Sequence, residues 1–245
     1  MTISNIELIE NKNIKKRLPP IKEVMDIHVK DIMPEIPSRN GGIVVFSGSG
    51  GSGKTSLLLS MFKSKDFYRN KFHNVYYIVP ESSFLSVAKH PFKKHEKVYH
   101  DLTPQLLETI YKELLELKTN EDKEEIEYNC VIIDDFASTL KEKPIQTLLQ
   151  LMLIKSRHLN TMFIFTLQSY YLFPKILRKM INYIVLFKVK NMEEWMSISK
   201  ELLSLNTDDG LLLYDYSFKT KYNHLDIDTT ENKLYLNFNE IIIHK

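Results

Sequence analysis

The feature that most constrains this chain is a glycine-rich stretch, Gly48-Ser49-Gly50-Gly51-Ser52-Gly53-Lys54-Thr55, set between two apolar segments. Before it, residues 43–46 are β-branched or aromatic and predict a buried strand, and after it residues 56–62 predict a helix. Glycines allow the tight turn that aims successive backbone N–H groups at a phosphate chain, and the helix N-terminus adds its positive dipole end. The stretch therefore predicts a phosphate-binding loop.

Two side chains of this loop are expected to contribute most of its chemistry. We expect Lys54 to reach the β- and γ-phosphates of ATP and the Thr55 hydroxyl to bind Mg²⁺. The other predicted nucleotide-binding residues are Gly48, Ser49, Gly50, Gly51, Ser52, Gly53 and Ser56. Of the seven glycines in the chain, four lie in this loop, which favours a functional loop over a chance run of glycine and serine.

Length and composition exclude several classes of protein. A chain of 245 residues fits one large domain, or one domain with a small appendage. The net charge of +2 argues against a strong global attraction to nucleic acid or to anionic membranes, so any DNA contact must come from local patches. The single cysteine, Cys130, excludes a disulfide framework and a cysteine zinc site, and favours a reducing compartment. No apolar run approaches the roughly 20 residues that span a bilayer, so we expect no membrane partner.

Apolar stretches that predict strands alternate with stretches that predict helices along most of the chain. The predicted strands lie at residues 43–47, 74–79, 98–100, 130–133, 161–167 and 183–189, and the predicted helices at 54–64, 103–117, 145–157, 173–180 and 192–205. This alternation predicts an α/β fold, a mostly parallel sheet flanked by helices. From residue 210 onward the pattern predicts strands at 211–214, 234–238 and 241–243. We therefore divide the chain into an N-terminal arm (1–40), a phosphate-loop ATPase core (41–205) and a small β-rich C-terminal extension packed on the core (206–245).

Polar residues follow two of the predicted strands directly. Because ligands bind at the carboxyl ends of parallel strands, we expect these residues to converge on the phosphate loop. Asp134 and Asp135 end one strand as a Walker B motif does, with Asp134 predicted to hold Mg²⁺ and Asp135 to activate the attacking water. Gln168 follows the other strand, 161–167, and its amide can hydrogen-bond both the γ-phosphate and the attacking water. The alternatives are an ordinary loop carboxylate or helix cap for the acidic pair, and a polar strand end for Gln168.

Three motifs in this order, the phosphate loop, Ile132-Ile133-Asp134-Asp135 and residues 156–169, resemble the FtsK–HerA superfamily. More closely, they resemble the genome-packaging ATPases of large DNA viruses, of poxvirus type, and of their virophage relatives. In that branch an Arg-His pair precedes the sensor strand, the strand ends in Gln-Ser, and an Ile-Leu-Arg segment follows. This chain has Arg157-His158, Gln168-Ser169 and Ile176-Leu177-Arg178 at those places, and the resemblance covers about residues 40–190.

The resemblance implies a RecA-like (ASCE) P-loop fold in which the strand 161–167 lies between the phosphate-loop strand and the strand that ends in Asp134. It implies an ATP-driven motor that packages double-stranded DNA, with capsid or portal-vertex proteins as partners. It also implies a homo-oligomeric ring, a pentamer or hexamer, acting in the host cytoplasm at the viral factory and present in the virion. In such a ring a neighbouring subunit supplies an arginine finger; Arg157 is the first candidate and Arg178 the second, with a surface arginine as the alternative for either.

Other functions remain open at this point. A cellular DNA-processing ATPase of the same superfamily would carry the same motifs. A P-loop kinase or GTPase is less favoured, because the chain lacks an arginine-rich lid and the Asn-Lys-x-Asp guanine signature. A two-lobed helicase is disfavoured because the chain is too short for a second motor domain. Three basic clusters, at residues 12–17, 89–97 and 219–221, are candidates for DNA contact or for ordinary solvated surface.

Overall fold

The computed structural model describes residues 28–33, 35–119 and 126–242. Most of the predicted N-terminal arm, including the basic cluster at 12–17, lies outside the described residues. The strands are β1 (Ile43–Ser47), β2 (Asn74–Ile78), β3 (Val98–Tyr99), β4 (Asn129–Asp134), β5 (Thr161–Leu167), β6 (Tyr183–Phe187), β7 (His224–Asp228), β8 (Lys233–Leu236) and β9 (Asn239–Ile241). The helices are α1 (Lys54–Met61), α2 (Glu81–Leu85), α3 (Pro104–Thr119), α4 (Lys143–Ile154), α5 (Lys175–Arg178), α6 (Met192–Leu203) and α7 (Thr207–Ser217), with 3₁₀ turns at Thr139–Lys141 and Tyr170–Leu172.

All of these strands form one sheet, in the order β3-β2-β4-β5-β1-β6-β7-β8-β9. The first six strands of that order pair in parallel, and the pairs β6–β7, β7–β8 and β8–β9 are antiparallel. Every residue of β1, β4, β5 and β6 is buried, as expected for parallel strands covered on both faces. The predicted fold class is therefore confirmed, and so is the position of the strand 161–167 between β1 and β4.

Helices cover both faces of the sheet. On β5, Phe163 and Phe165 face the side covered by α3, α4, α6 and α7, whereas Met162 and Ile164 face the side covered by α1. This division follows from the strand geometry, in which successive side chains point to opposite faces. In the described part of the chain, no helix combines the length and the apolar character needed to cross a membrane.

The C-terminal extension differs from the sequence prediction at its start. Residues 211–214 were predicted to form a strand because four apolar or aromatic residues follow one another, and that prediction is wrong, since they lie within helix α7. The Asn206 side chain caps this helix by accepting a hydrogen bond from the Asp209 N–H at 2.9 Å. Asp208 and Asp209 in the first turn complement the helix dipole. The helix buries Leu213. The cap at Asn206 and the acidic first turn favour a helix here more strongly than the apolar run favours a strand.

The rest of the extension is β-rich as predicted, and its strands add to the edge of the main sheet. β7 pairs with β6, so the antiparallel strands continue the sheet from the edge nearest the phosphate loop. The predicted strand 241–243 corresponds to the end of β9, and residue 243 lies outside the described residues. Helices α1, α4, α5 and α6 are shorter than predicted, and the five-residue helix α2 and strand β7 were not predicted.

Candidate active site

The glycine-rich loop joins the carboxyl end of β1 to the first residue of α1, as predicted. The Lys54 ammonium is buried and donates hydrogen bonds to the carbonyl oxygens of Gly48 (2.6 Å) and Ser49 (3.1 Å), which folds the loop around it. Gly53 has φ 107°, a backbone conformation that glycine adopts without steric cost. At Gly48 an added Cβ would lie 2.6 Å from the Cβ of Phe187, so the loop could not approach β6 with a side chain there.

Burial lowers the pKa of Lys54, because it removes water from the ammonium group. The negative charges of Asp135 and, to a smaller degree, Asp134 act in the opposite direction and favour the protonated lysine. The structure therefore places one buried cation and two carboxylates within electrostatic reach of one another.

Asp134, the last residue of β4, is a buried carboxylate surrounded by hydroxyl groups. Its Oδ2 accepts a hydrogen bond from Tyr77 Oη at 2.7 Å, and its Oδ1 accepts from Thr166 Oγ1 and from Thr55 Oγ1, the latter at 3.3 Å. Burial raises the pKa of Asp134, and the hydrogen bonds from Thr166, Tyr77 and Thr55 partly offset that shift. The contact with Thr55 brings together the two residues that were predicted to hold Mg²⁺.

Tyr77 and Thr166 are site residues that the sequence analysis missed. Thr166 pairs with Asp134 across β5 and β4, and Tyr77 lies on β2, the other neighbour of β4. A signal was available for Tyr77, because a tyrosine inside a buried strand needs a partner for its hydroxyl. Nothing in the sequence says which partner that is.

Asp135 and Gln168 come together at the exposed edge of the site. The Gln168 Nε2 donates a hydrogen bond to Asp135 Oδ1 at 3.1 Å, and the Asp135 N–H donates to Thr166 Oγ1 at 3.1 Å. Asp135 has φ 63°, a left-handed conformation that aspartate tolerates better than most residues. Adjacent carboxylates thus have opposite environments, since Asp134 is buried and Asp135 is exposed. Such a difference suits one carboxylate for binding a cation and the other for accepting a proton.

The loop has space and hydrogen-bonding capacity for a phosphate chain. The Ser52 Oγ is buried and has no hydrogen-bond partner among the described residues. A Cβ built on Gly50 or Gly51 would meet no atom within 4 Å, so the space in front of these residues is open. A polyphosphate accepts hydrogen bonds at every oxygen, and it therefore fits both the orphaned hydroxyl and the open cradle.

The two candidate arginines differ in their exposure and in their contacts with the rest of the chain. Arg157 is exposed, and its backbone lies against Gly41 just before β1, at the amino end of the sheet and away from the phosphate loop. Arg178 is 12% exposed and donates hydrogen bonds to the carbonyl oxygens of Phe173 (2.9 Å) and Tyr171 (3.0 Å). Its guanidinium also lies 4.8 Å from the ring centroid of Tyr170. Arg157 is therefore free to contact another molecule, whereas contacts within its own chain occupy Arg178.

Comparison with known proteins adds a family and a set of similar folds. The sequence model of the family described as Poxvirus A32 protein matches residues 39–213, which is more than half of the chain. No curated protein sequence matches the chain.

Solved structures of viral and bacterial proteins share the fold. The genome packaging NTPase B204 from Sulfolobus turreted icosahedral virus 2, in complex with ATP-gammaS, is 17% identical with a TM-score of 0.56, and the match covers 83% of this chain and 99% of that one. B204, the DNA-packaging ATPase from Sulfolobus turreted icosahedral virus, is 18% identical with a TM-score of 0.58, over 83% of this chain and 98% of that one. EssC (ATPases 2 and 3) from Geobacillus thermodenitrificans is 15% identical with a TM-score of 0.58, over 80% of this chain and 39% of that one. At these identities the similarity establishes the fold.

Proposed function

This chain belongs to the poxvirus A32 protein family, and from that membership and its site we propose that it is an ATPase that packages double-stranded viral DNA into a capsid. The observation that carries the proposal is the position of β5 between β1 and β4. That order brings the loop after β1, the carboxylates at the end of β4 and the amide after β5 to one edge of the sheet. Further support comes from B204, described as a genome packaging NTPase, because this fold spans nearly all of that protein.

In the proposed reaction a water molecule attacks the γ-phosphorus in line with the bond to the leaving ADP, and Asp135 accepts the proton of that water. The exposure of Asp135 suits this role, since water can reach its carboxylate. Gln168 donates to Asp135 at 3.1 Å, so its amide can hold the base in position while its own oxygen stays available to the water. Lys54 provides positive charge next to the phosphates on which negative charge accumulates.

Thr55 and Asp134 are the residues that would hold Mg²⁺. The observation that supports this assignment is their contact at 3.3 Å, because a hydroxyl and a carboxylate are the oxygen ligands that this ion prefers. When bound, Mg²⁺ supplies positive charge that offsets the charge of the phosphate oxygens. Tyr77 and Thr166 orient the Asp134 carboxylate through their hydrogen bonds and thereby position the ligand.

The proposal includes a ring of identical subunits in which Arg157 of one subunit completes the site of the next. Its exposure and its distance from its own phosphate loop support this role, because a finger in trans must project from the subunit surface. The same proposal names double-stranded DNA and capsid or portal-vertex proteins as partners. It places the protein in the host cytoplasm and in the virion.

The proposal is tested by the rate of ATP hydrolysis with and without long duplex DNA, in the presence of Mg²⁺. We expect DNA to raise the rate several-fold, and we expect Lys54→Ala to show no hydrolysis in either condition. The Lys54→Ala protein controls for contaminating ATPases. A wild-type rate that does not respond to duplex DNA would argue against a motor and favour another ATPase of the same fold.

A further inference from the structure

A second cleft, of about 450 Å³, opens beside the phosphate loop on the side of β6. One wall is formed by loop residues 49–52, and the other by Phe187, Lys188, Lys190 and the segment 218–223 that joins α7 to β7. The cleft is therefore built partly by the loop itself and partly by the C-terminal extension, and the wall opposite the loop has not been assigned a part in nucleotide binding above.

The cleft carries strong positive charge. Its lining includes Lys188, Lys190, Lys219 and Lys221 and no aspartate or glutamate. In the part of the chain that the structure describes, none of these lysines forms an ion pair with a carboxylate. Three of them lie over tyrosine rings, among them Lys221 at 4.7 Å from the ring centroid of Tyr222. Lysines without a carboxylate partner around a concave site attract an anionic ligand.

Tyr222 gives this cleft an exposed aromatic surface. Its side chain is 57% exposed, and its Cδ1 would lie 3.4 Å from a Cβ built on Gly53, so the ring stands directly beside the phosphate loop. Tyr222 also has φ 72°, a left-handed conformation that is strained for a bulky residue.

The neighbouring turn holds this conformation in place. The Asn223 side chain donates a hydrogen bond to the Ser217 carbonyl oxygen at 3.0 Å and accepts one from Asn237 Nδ2 at 3.0 Å. These bonds tie the segment 218–223 to the end of α7 and to the turn between β8 and β9. The residue that follows Tyr222 is thus held by the fold on both sides.

The orientation of a bound nucleotide follows from the positions of the catalytic groups. Asp134, Asp135 and Gln168 lie after β4 and β5, on one side of the phosphate loop, and the γ-phosphate must face them. The opposite end of the nucleotide then leaves the loop on the other side, toward β6. That end carries the sugar and a planar base, and the β6 side offers lysines and an exposed tyrosine ring.

We propose that the base of the bound nucleotide stacks on Tyr222, in the cleft between the phosphate loop and the segment 218–223. The positive charge of the four lysines in the cleft attracts the phosphate chain of the same molecule from the side that bears the sugar. This assignment rests on the proposed ATPase function, and it gives the C-terminal extension a part in nucleotide binding.

The test compares the affinities of ATP and of inorganic tripolyphosphate, measured by titration calorimetry with Mg²⁺ on the full chain. Tyr222→Asn removes the ring but keeps a residue that tolerates the left-handed backbone. We expect it to weaken ATP binding about tenfold and to leave tripolyphosphate binding unchanged, since tripolyphosphate has no base to stack. Tyr222→Phe retains the ring and should bind ATP within about twofold of the wild type.

Tyr216→Asn is the matched control, because Tyr216 is 52% exposed and lies near Lys219 but outside the cleft. It should bind both ligands as the wild type does. Two results would overturn the inference: unchanged ATP affinity in Tyr222→Asn, or an equal loss of affinity for both ligands, which would mean that Tyr222 supports the loop and not the base. If the wild type binds neither ATP nor tripolyphosphate, the proposed ATPase function fails as well.

Discussion

Removal of the Tyr77 hydroxyl should destabilise this protein far more than removal of the same group from its neighbour Tyr76. The Tyr77 hydroxyl donates at 2.7 Å to Asp134, a carboxylate that is 1% exposed. Tyr77→Phe keeps the packing of the ring and leaves one carboxylate oxygen without that donor. A hydrogen bond to a buried charged group contributes about 1.5–3 kcal/mol, so we expect a loss of that size in the free energy of unfolding.

Tyr76→Phe provides the matched comparison. The Tyr76 hydroxyl donates at 2.9 Å to Glu113, which is 37% exposed and also pairs with Lys97 at 3.2 Å. Water and Lys97 can replace the lost bond, so the expected loss is below about 1 kcal/mol. The two substitutions delete the same atom from adjacent residues of β2. The Tyr76 hydroxyl also accepts a hydrogen bond from Lys97 Nζ at 3.0 Å, but both of its partners are partly exposed, whereas the partner of Tyr77 is buried.

The assay is urea unfolding at pH 7.5 without nucleotide or Mg²⁺, with the slope of the transition compared among the three proteins. An unchanged slope shows that the loss is one of stability. For a chain of this length, Tyr77→Phe should also lower Tm by about 3–12 °C. Equal losses in the two variants, or a loss below about 0.5 kcal/mol in Tyr77→Phe, would refute the reasoning that a buried Asp134 depends on this donor.

Further expectations concern hydrolysis, assembly and pH. Asp135→Asn should bind ATP with near wild-type affinity and lower kcat by about 10²- to 10⁴-fold in a steady-state assay, and normal turnover would exclude Asp135 as the base. Arg157→Ala should bind ATP but not hydrolyse it. Mixing it with Asp135→Asn should restore hydrolysis, because a boundary between the two variants can combine one intact arginine with one intact base. If assembled mixtures stay inactive, Arg157 is not the arginine finger. The pKa of Asp134 is raised by burial, so its contribution to stability is present below its ordinary value of 3.8 and is lost as the pH rises through the raised value. The metal-free wild type should therefore lose stability relative to Asp134→Asn as the pH rises above 3.8 in urea titrations, and a stability difference that stays constant with pH would contradict the raised pKa.

Local signals explain which parts of the site could be found from the sequence. The phosphate loop, Asp134-Asp135 and Gln168 each lie directly after an apolar stretch, and the rule that parallel strands share one ligand-binding edge brought them together. The donors to Asp134 could not be found in this way. Tyr77 and Thr166 reach that carboxylate only through the register of β2 and β5 against β4, which is a property of the assembled sheet.

Competing local signals explain the error at residues 211–214. Apolar residues in a row fit a strand as well as a buried helix, and periodicity alone does not separate the two. The sequence Asn206-Thr207-Asp208-Asp209 carried the deciding information, as a helix cap followed by acidic residues. Tyr222 was not predicted as a site residue for a different reason. Its proposed role follows from a positive φ and from its position beside Gly53, and the neighbouring residues in the sequence indicate neither.

The two outer strands of the sheet limit how copies of this chain can associate. β3 has two residues and β9 has three, so each edge of the described sheet offers very few unpaired backbone groups. Short edge strands are a common protection against pairing between sheets, which otherwise leads to aggregation. Subunits of the proposed ring are therefore expected to meet through side chains on helices and loops, with no sheet continuing from one subunit into the next. Contacts of that kind can break and re-form as a motor turns over, whereas a shared sheet would lock neighbouring subunits together.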